Sequence, residues 1–208
     1  MWSLIDSKKN NSNENSLGSD RSCPICGSRK FKKILELENF QFYLDSLEEP
    51  KQFSIKENIC LECHAIYLNP VYSEKGLEIL FREAGQSYGV LDSHAFSQVK
   101  WLEEKGLLIK NSSILDVGCF EGSFLSKLPS HIKKYGVDID KKAIETARKK
   151  YAHSGSEFYH GAFESFDYKG GALDTIVMFH VLEHLADPIS VLKKLKTISK
   201  NSTNLIIE

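Results

Sequence analysis

From residue 113 to the end of the chain, apolar residues come in short blocks whose spacing alternates. Ile114, Leu115 and Val117 form a compact β-prone run, and Asp174-Thr-Ile-Val-Met-Phe179 forms a second, almost wholly apolar one. Continuous runs of this length suit strands buried on both faces of a parallel sheet. Between them the apolar positions return at helical spacing. The pattern predicts strands at 113–117, 134–139, 157–160, 174–179 and 205–207. It predicts helices at 121–128, at 141–151 and from Pro188 to Lys200. Pro129 closes the first of these helices. Asp187 gives the last a capping carboxylate in front of a proline at the first helical position. Strand–helix alternation with short connections predicts an α/β fold, a doubly wound parallel sheet with right-handed crossovers.

The first half is patterned more weakly. Residues 1–20 are rich in Asn, Ser and charge with almost nothing to bury, and a disordered tail is expected there. Residues 21–72 hold four of the five cysteines, with short β-prone segments at Phe31–Leu37 and Gln52–Ile55. Residues 73–110 read as a helical connector. One helix runs through Leu77, Leu80 and Phe81 until Gly85 and Gly89 interrupt it. Another runs from His94 to Lys105, with Gly106 as its stop. The α/β domain then occupies 111–208.

The densest chemistry lies after the first strand of that domain. Ser113-Ile-Leu-Asp-Val-Gly-Cys-Phe-Glu-Gly-Ser-Phe-Leu125 ends a strand in Asp116, turns on Gly118 and Gly122, and opens a helix. Gly136-Val-Asp-Ile-Asp140 ends the next strand in a second acid, Asp138, which lies 22 residues after Asp116. Glycines in such a turn let a ligand approach the backbone. A carboxylate on the next strand tip accepts hydrogen bonds from both hydroxyls of a ribose. The spacing is Gly-x-x-x-Gly, not the Gly-x-Gly-x-x-Gly of dinucleotide binding. Alone, the turn leaves several nucleoside cofactors open.

A third segment, Phe179-His-Val-Leu-Glu-His-Leu-Ala-Asp-Pro188, follows the fourth strand. With the other two, it resembles class I S-adenosylmethionine-dependent methyltransferases over about residues 94–208. The resemblance implies a Rossmann-like sheet of order 3-2-1-4-5, here without the family's last two strands. It implies S-adenosylmethionine as cofactor. It puts Asp116, Gly118, Cys119, Phe120 and Gly122 along the methionine part of that cofactor. It puts Asp138 on the ribose, and Ile139, Ala162 and Phe163 around the adenine. Phe179 and His180 would stand near the sulfonium, with His180 as the candidate base, and Tyr88 would cover the cofactor. Four positions depart from the family pattern. Phe120 replaces its middle glycine, Ala162 an acid that holds the adenine amino group, and Lys200-Asn-Ser-Thr203 a Pro-Gly-Gly turn. The fourth is the missing pair of strands: the expectation is an incomplete sheet, a fragment, or an edge, Leu205-Ile-Ile207, that a second copy or another chain covers.

Cys23-Pro-Ile-Cys26-Gly27 and Cys60-Leu-Glu-Cys63-His64 are separated by 33 residues. Two such turns supply four sulfurs in a tetrahedron, which suits structural Zn²⁺ and leaves no position for catalytic water. This zinc-ribbon module, followed by Ala65-Ile-Tyr-Leu-Asn-Pro70, resembles the N-terminal module of bacterial sugar C-methyltransferase-like proteins. That resemblance implies a small-molecule acceptor, such as a nucleotide-linked sugar. Net charge is −1 over 208 residues. Residues 1–99 carry 11 basic and 14 acidic side chains, and residues 100–208 carry 16 and 14. Neither half is a polyanion-binding surface, which argues against nucleic acid as a partner. No apolar run is long enough to span a bilayer, and the N-terminus has no apolar signal-peptide core, so a cytoplasmic protein is expected. Two other functions stay open on the sequence. One is an RNA methyltransferase whose zinc module holds RNA. The other is a non-catalytic cofactor-binding or zinc-scaffold protein.

Overall fold

The computed structural model describes residues 18–41, 52–72 and 92–208. They fall into two compact units, 18–72 and 92–208. The connector helix expected near 73–81, residue Tyr88 and most of the expected N-terminal tail lie outside the described residues.

The first unit is antiparallel. Strand β1 (Gly18–Ser19), at the end of the expected tail, pairs with β5 (Val71–Tyr72). Strands β2 (Phe31–Gln41), β3 (Gln52–Cys60) and β4 (Ile66–Leu68) form a three-stranded sheet in that order. The long strands are broken by bulges between Lys33 and Leu35 and between Leu37 and Phe40. Its small core is Cys23, Cys60 and Tyr67. Among the described residues this core is small, the setting in which a cross-link or a metal commonly adds stability.

The second unit is a parallel α/β/α sandwich. Helix α1 (Asp92–Glu104) leads into strand β6 (Ser113–Val117) and the short helix α2 (Ser123–Lys127). Strand β7 (Lys133–Asp138), helix α3 (Lys141–Lys150) and strand β8 (Ser156–His160) follow. Strand β9 (Leu173–Met178), helix α4 (Pro188–Thr197) and strand β10 (Ser199–Ile207) complete it. The sheet order is β10-β9-β6-β7-β8, with every neighbouring pair parallel. Counted from the first strand of the unit, this is the expected order 3-2-1-4-5.

Two apolar layers cover the sheet. On one face Ile114, Phe158 and Val177 pack with Ala95 and Leu102 of α1, Phe124 and Leu125 of α2, and Ile144 and Ala147 of α3. On the other, Leu115, Val117, Ile176 and Met178 pack with Val191 and Leu195 of α4. Helix α1 thus supplies core to the sandwich, so the packed unit begins before residue 111. The last helix stops at Thr197, short of the expected Lys200, and β10 is longer than expected. The Ser199 hydroxyl donates to the Leu195 carbonyl, and the Thr203 hydroxyl donates to Leu173 O. These bonds carry the chain from helix to strand where the family's glycine turn is absent.

Candidate functional site

Asp116 sits on the central strand β6 with 3% of its surface exposed, and among the described residues its carboxylate has no hydrogen-bond partner. Burial, and then the charge of Asp138, push it up from the usual carboxylate range to about 8. Asp138 ends the neighbouring strand β7. Its Oδ2 accepts from the Phe120 amide at 2.8 Å and its Oδ1 from the Asp140 amide at 2.8 Å. Burial raises Asp138 too, against the pull of those amides. Two desolvated carboxylates therefore stand at one end of the sheet with no cation facing them among the described residues. Such a pair favours a cationic ligand, which restores the charge balance that burial removed.

The turn between these acids is shaped by protein contacts. Gly118 has φ 80°, and a Cβ there would lie 2.3 Å from the Val181 side chain. A Cβ on Gly122 would lie 2.5 Å from the Phe158 ring. The expectation gave both glycines to a ligand. The immediate constraint is instead Val181 over one and Phe158 under the other. Phe120, in place of a glycine, adopts φ 46°, and its amide is the one that holds Asp138. Cys119 is buried, with burial and then Asp116 and Asp138 raising its thiol well above normal, so its sulfur is inert. Helix α2 has only five residues, so the dipole at its start is small.

In the first unit the four cysteine sulfurs lie within 4.8 Å of one another. Cys23 and Cys63 are 3.5 Å apart at sulfur, as are Cys26 and Cys60. The two turns are built alike. Gly27 N–H donates to Cys23 O with φ 75° at Gly27, and His64 N–H donates to Cys60 O with φ 61° at His64. His64 thus takes the left-handed place that glycine fills in the first turn. The Cys63 and Glu62 amides lower Cys60 to about 6. At Cys26 the Ser28 amide lowers the thiol, but burial and its three neighbours win and push it up to about 12. Four sulfurs this close together could hold a metal ion.

Residues 115–207 match the methyltransferase domain family, and they carry the parallel sheet described above. This unit is a class I S-adenosylmethionine-dependent methyltransferase domain. The ubiquinone biosynthesis O-methyltransferase of Thiobacillus denitrificans is 28% identical over 99 residues, 45% of this chain and 42% of that protein. Its counterpart from Bordetella bronchiseptica is 26% identical over 113 residues, 51% of this chain and 47% of that one. The matched stretch is thus under half the length of these relatives. Magnesium protoporphyrin IX methyltransferase from Synechocystis PCC 6803, solved with bound SAH, superposes with a TM-score of 0.50 at 21% identity. That superposition covers 62% of this chain and 68% of that one.

Within the methyltransferase domain the expected site residues divide into two groups. Asp116, Gly118, Cys119, Phe120, Gly122 and Asp138 meet at the tips of β6 and β7. Ile139 projects from the same end and is 38% exposed. Phe163 lies elsewhere. Its ring is buried in the second apolar layer beneath the Lys194 ammonium, so only its backbone is left to meet an adenine. Ala162 is half-buried and lines a cavity of about 470 Å³ with Arg148, Tyr159, His160 and Ser165. That cavity opens beside the edge strand β8, and neither Asp116 nor Gly118 lines it. Phe179 packs edge-on against Phe124, with ring centroids 5.1 Å apart. His180 has φ 54° and an exposed side chain, and its amide donates to Glu208 O. Its Nδ1 is 3.9 Å from the Glu183 carboxylate. Val181 and Tyr67 lie inside segments the sequence marks out, yet nothing there distinguishes them from their neighbours, because only contacts distant in the chain single them out.

Proposed function

We propose that this protein transfers a methyl group from S-adenosylmethionine to a small-molecule acceptor. The observation that carries the reading is the buried, unpartnered carboxylate of Asp116 beside Asp138. When bound, the cofactor supplies an already activated methyl carbon on a sulfonium. The chain's part is to bind, orient and keep out water. Asp116 offsets the positive charge of the ligand's amino acid end. Each Asp138 oxygen already accepts one backbone amide and keeps a lone pair for a ribose hydroxyl. Ile139 and the Ala162–Phe163 backbone flank the base. Ala162 has no side-chain acceptor, so adenine selection falls to backbone groups. His180, exposed at the tip of β9 and beside Glu183, is the group that takes the acceptor's proton.

The acceptor we put first is a nucleotide-linked sugar, on the strength of a cysteine module joined to a methyltransferase domain. The curated relatives act in ubiquinone biosynthesis, so a phenolic acceptor belongs in the same panel. In the first unit the four cysteines hold one Zn²⁺. Four sulfurs within 4.8 Å suit that ion, and the small core of the unit needs it.

Calorimetry with S-adenosylmethionine, followed by turnover with a panel of acceptors, tests the reading. Asp138→Ala is expected to weaken cofactor binding at least about tenfold, the loss of roughly one charge-assisted hydrogen bond. Undiminished affinity would overturn the cofactor assignment.

A further inference from the structure

Tyr67 lies on β4, paired across the strands with Asn58 of β3. Cross-strand partners share a face, and so do residues two apart along a strand. Tyr67, Asn58 and Cys60 therefore share one face of the sheet, and Tyr67 packs in one cluster with Cys23 and Cys60. The ring is 7% exposed. Its hydroxyl is fully buried and has no hydrogen-bond partner. Leaving such a group unpaired costs about 1–3 kcal/mol, so an orphan of this kind calls for an explanation. A phenylalanine would fill the same space without that cost.

We infer that the Tyr67 hydroxyl donates a hydrogen bond to the Cys23 sulfur when the four cysteines hold a metal ion. The inference rests on the zinc reading above. A thiol is a weak acceptor, whereas a metal-bound thiolate keeps lone pairs and negative charge that attract a donor. Cys60 already receives a backbone donor, since the Glu62 amide lies 3.4 Å from its sulfur. Cys23 is 2% exposed, which keeps water from serving it. The phenol is the buried donor in the same cluster with no other use. Outer partners of this kind orient the ligands and steady the metal. Tyr67 is on this account a positioning residue of the metal centre.

Cobalt titration of the full reduced, metal-stripped chain tests this, with wild type and Tyr67→Phe compared. Removing the hydroxyl leaves the ring and its packing in place. Wild type is expected to take up one Co²⁺ with the strong visible bands of a tetrahedral four-sulfur site. Tyr67→Phe is expected to bind about tenfold more weakly. Its sulfur-to-cobalt charge-transfer band should move to lower energy, because a hydrogen bond stabilises the sulfur lone pair. Alkylation of the zinc-loaded chain should also proceed faster in the variant. If wild type takes up no Co²⁺, the metal reading fails and this inference with it. If wild type binds and the variant matches it in affinity and band position, the metal reading stands and the role of Tyr67 is refuted. Weaker binding with an unmoved band refutes it as well, since it marks a packing defect alone.

Discussion

At the scale of single residues, Asp116 sets the behaviour of the candidate site. Its folded value is raised to about 8, against an ordinary carboxylate value when unfolded. Between these values the folded chain holds a proton that the unfolded chain has lost. The Asp116 contribution is therefore favourable below about pH 4 and is lost as pH rises toward 8. Asp116→Asn keeps the shape and removes the charge. Without ligand it is expected to match wild type in melting temperature only below about pH 4, and to exceed it by a margin that grows up to pH 8. A pH series of melting curves measures this, and a constant gap would show that Asp116 is not the titrating group. Gly118 is a second decisive residue. An added Cβ meets Val181 at 2.3 Å in a backbone with positive φ. Gly118→Ala is expected to cost about 1–3 kcal/mol of stability in urea unfolding. Val181→Ala in the same chain should recover part of the loss, because it removes the clashing methyl.

At the scale of elements, caps and registers could be read along the chain in some places and not in others. Asp140 opens α3 by accepting from the Lys142 and Ala143 amides, and Asp187 opens α4 by accepting from Ser190. Both are local bonds between near neighbours. Asp140→Ala is expected to cost about 1 kcal/mol, measured by chemical denaturation. Since Asp138 binds the Asp140 amide and not its side chain, the cap variant should leave cofactor affinity within about twofold. The start of β10 is different. Between Ser199 and Asn204 the strand advances five residues while its partner β9 advances two, from Leu173 to Thr175. The excess is held by Thr203 on Leu173 and by the Lys200 ammonium on Asp174, which also accepts from Ser113. No periodicity within 199–204 announces that slip. It depends on a strand some thirty residues earlier, so the helix was carried too far in the sequence reading.

At the scale of the whole molecule, the two units rest on different physics. The methyltransferase domain buries two apolar layers against a five-stranded sheet. Among the described residues of the cysteine unit the buried apolar cluster is Cys23, Cys60 and Tyr67, beside four sulfurs that could hold a metal. Removing metal with a strong chelator under reducing conditions should therefore act on one unit. Hydrogen exchange is expected to speed up across 31–41 and 52–68 and to stay unchanged across β6, β7 and β9. Uniform acceleration, or none, would contradict that division. Among the described residues no helix is long and apolar enough to cross a membrane.

Much of the architecture was written along the chain. Strand–helix alternation, two CxxC pairs and an acid at each of two strand tips fix the element order, the sheet class and the cysteine cluster. These features act over a few residues, through period, turn chemistry and spacing. The tertiary structure alone decided three other things. It brought Asp116, buried, and Asp138, half-buried, together at one end of the sheet with no counter-charge among the described residues. It turned the Phe163 ring into the core. It buried the Tyr67 hydroxyl without a partner, in a residue that packs with Cys23 and Cys60. Desolvation and contact depend on residues far apart in sequence, so no local pattern could have carried them.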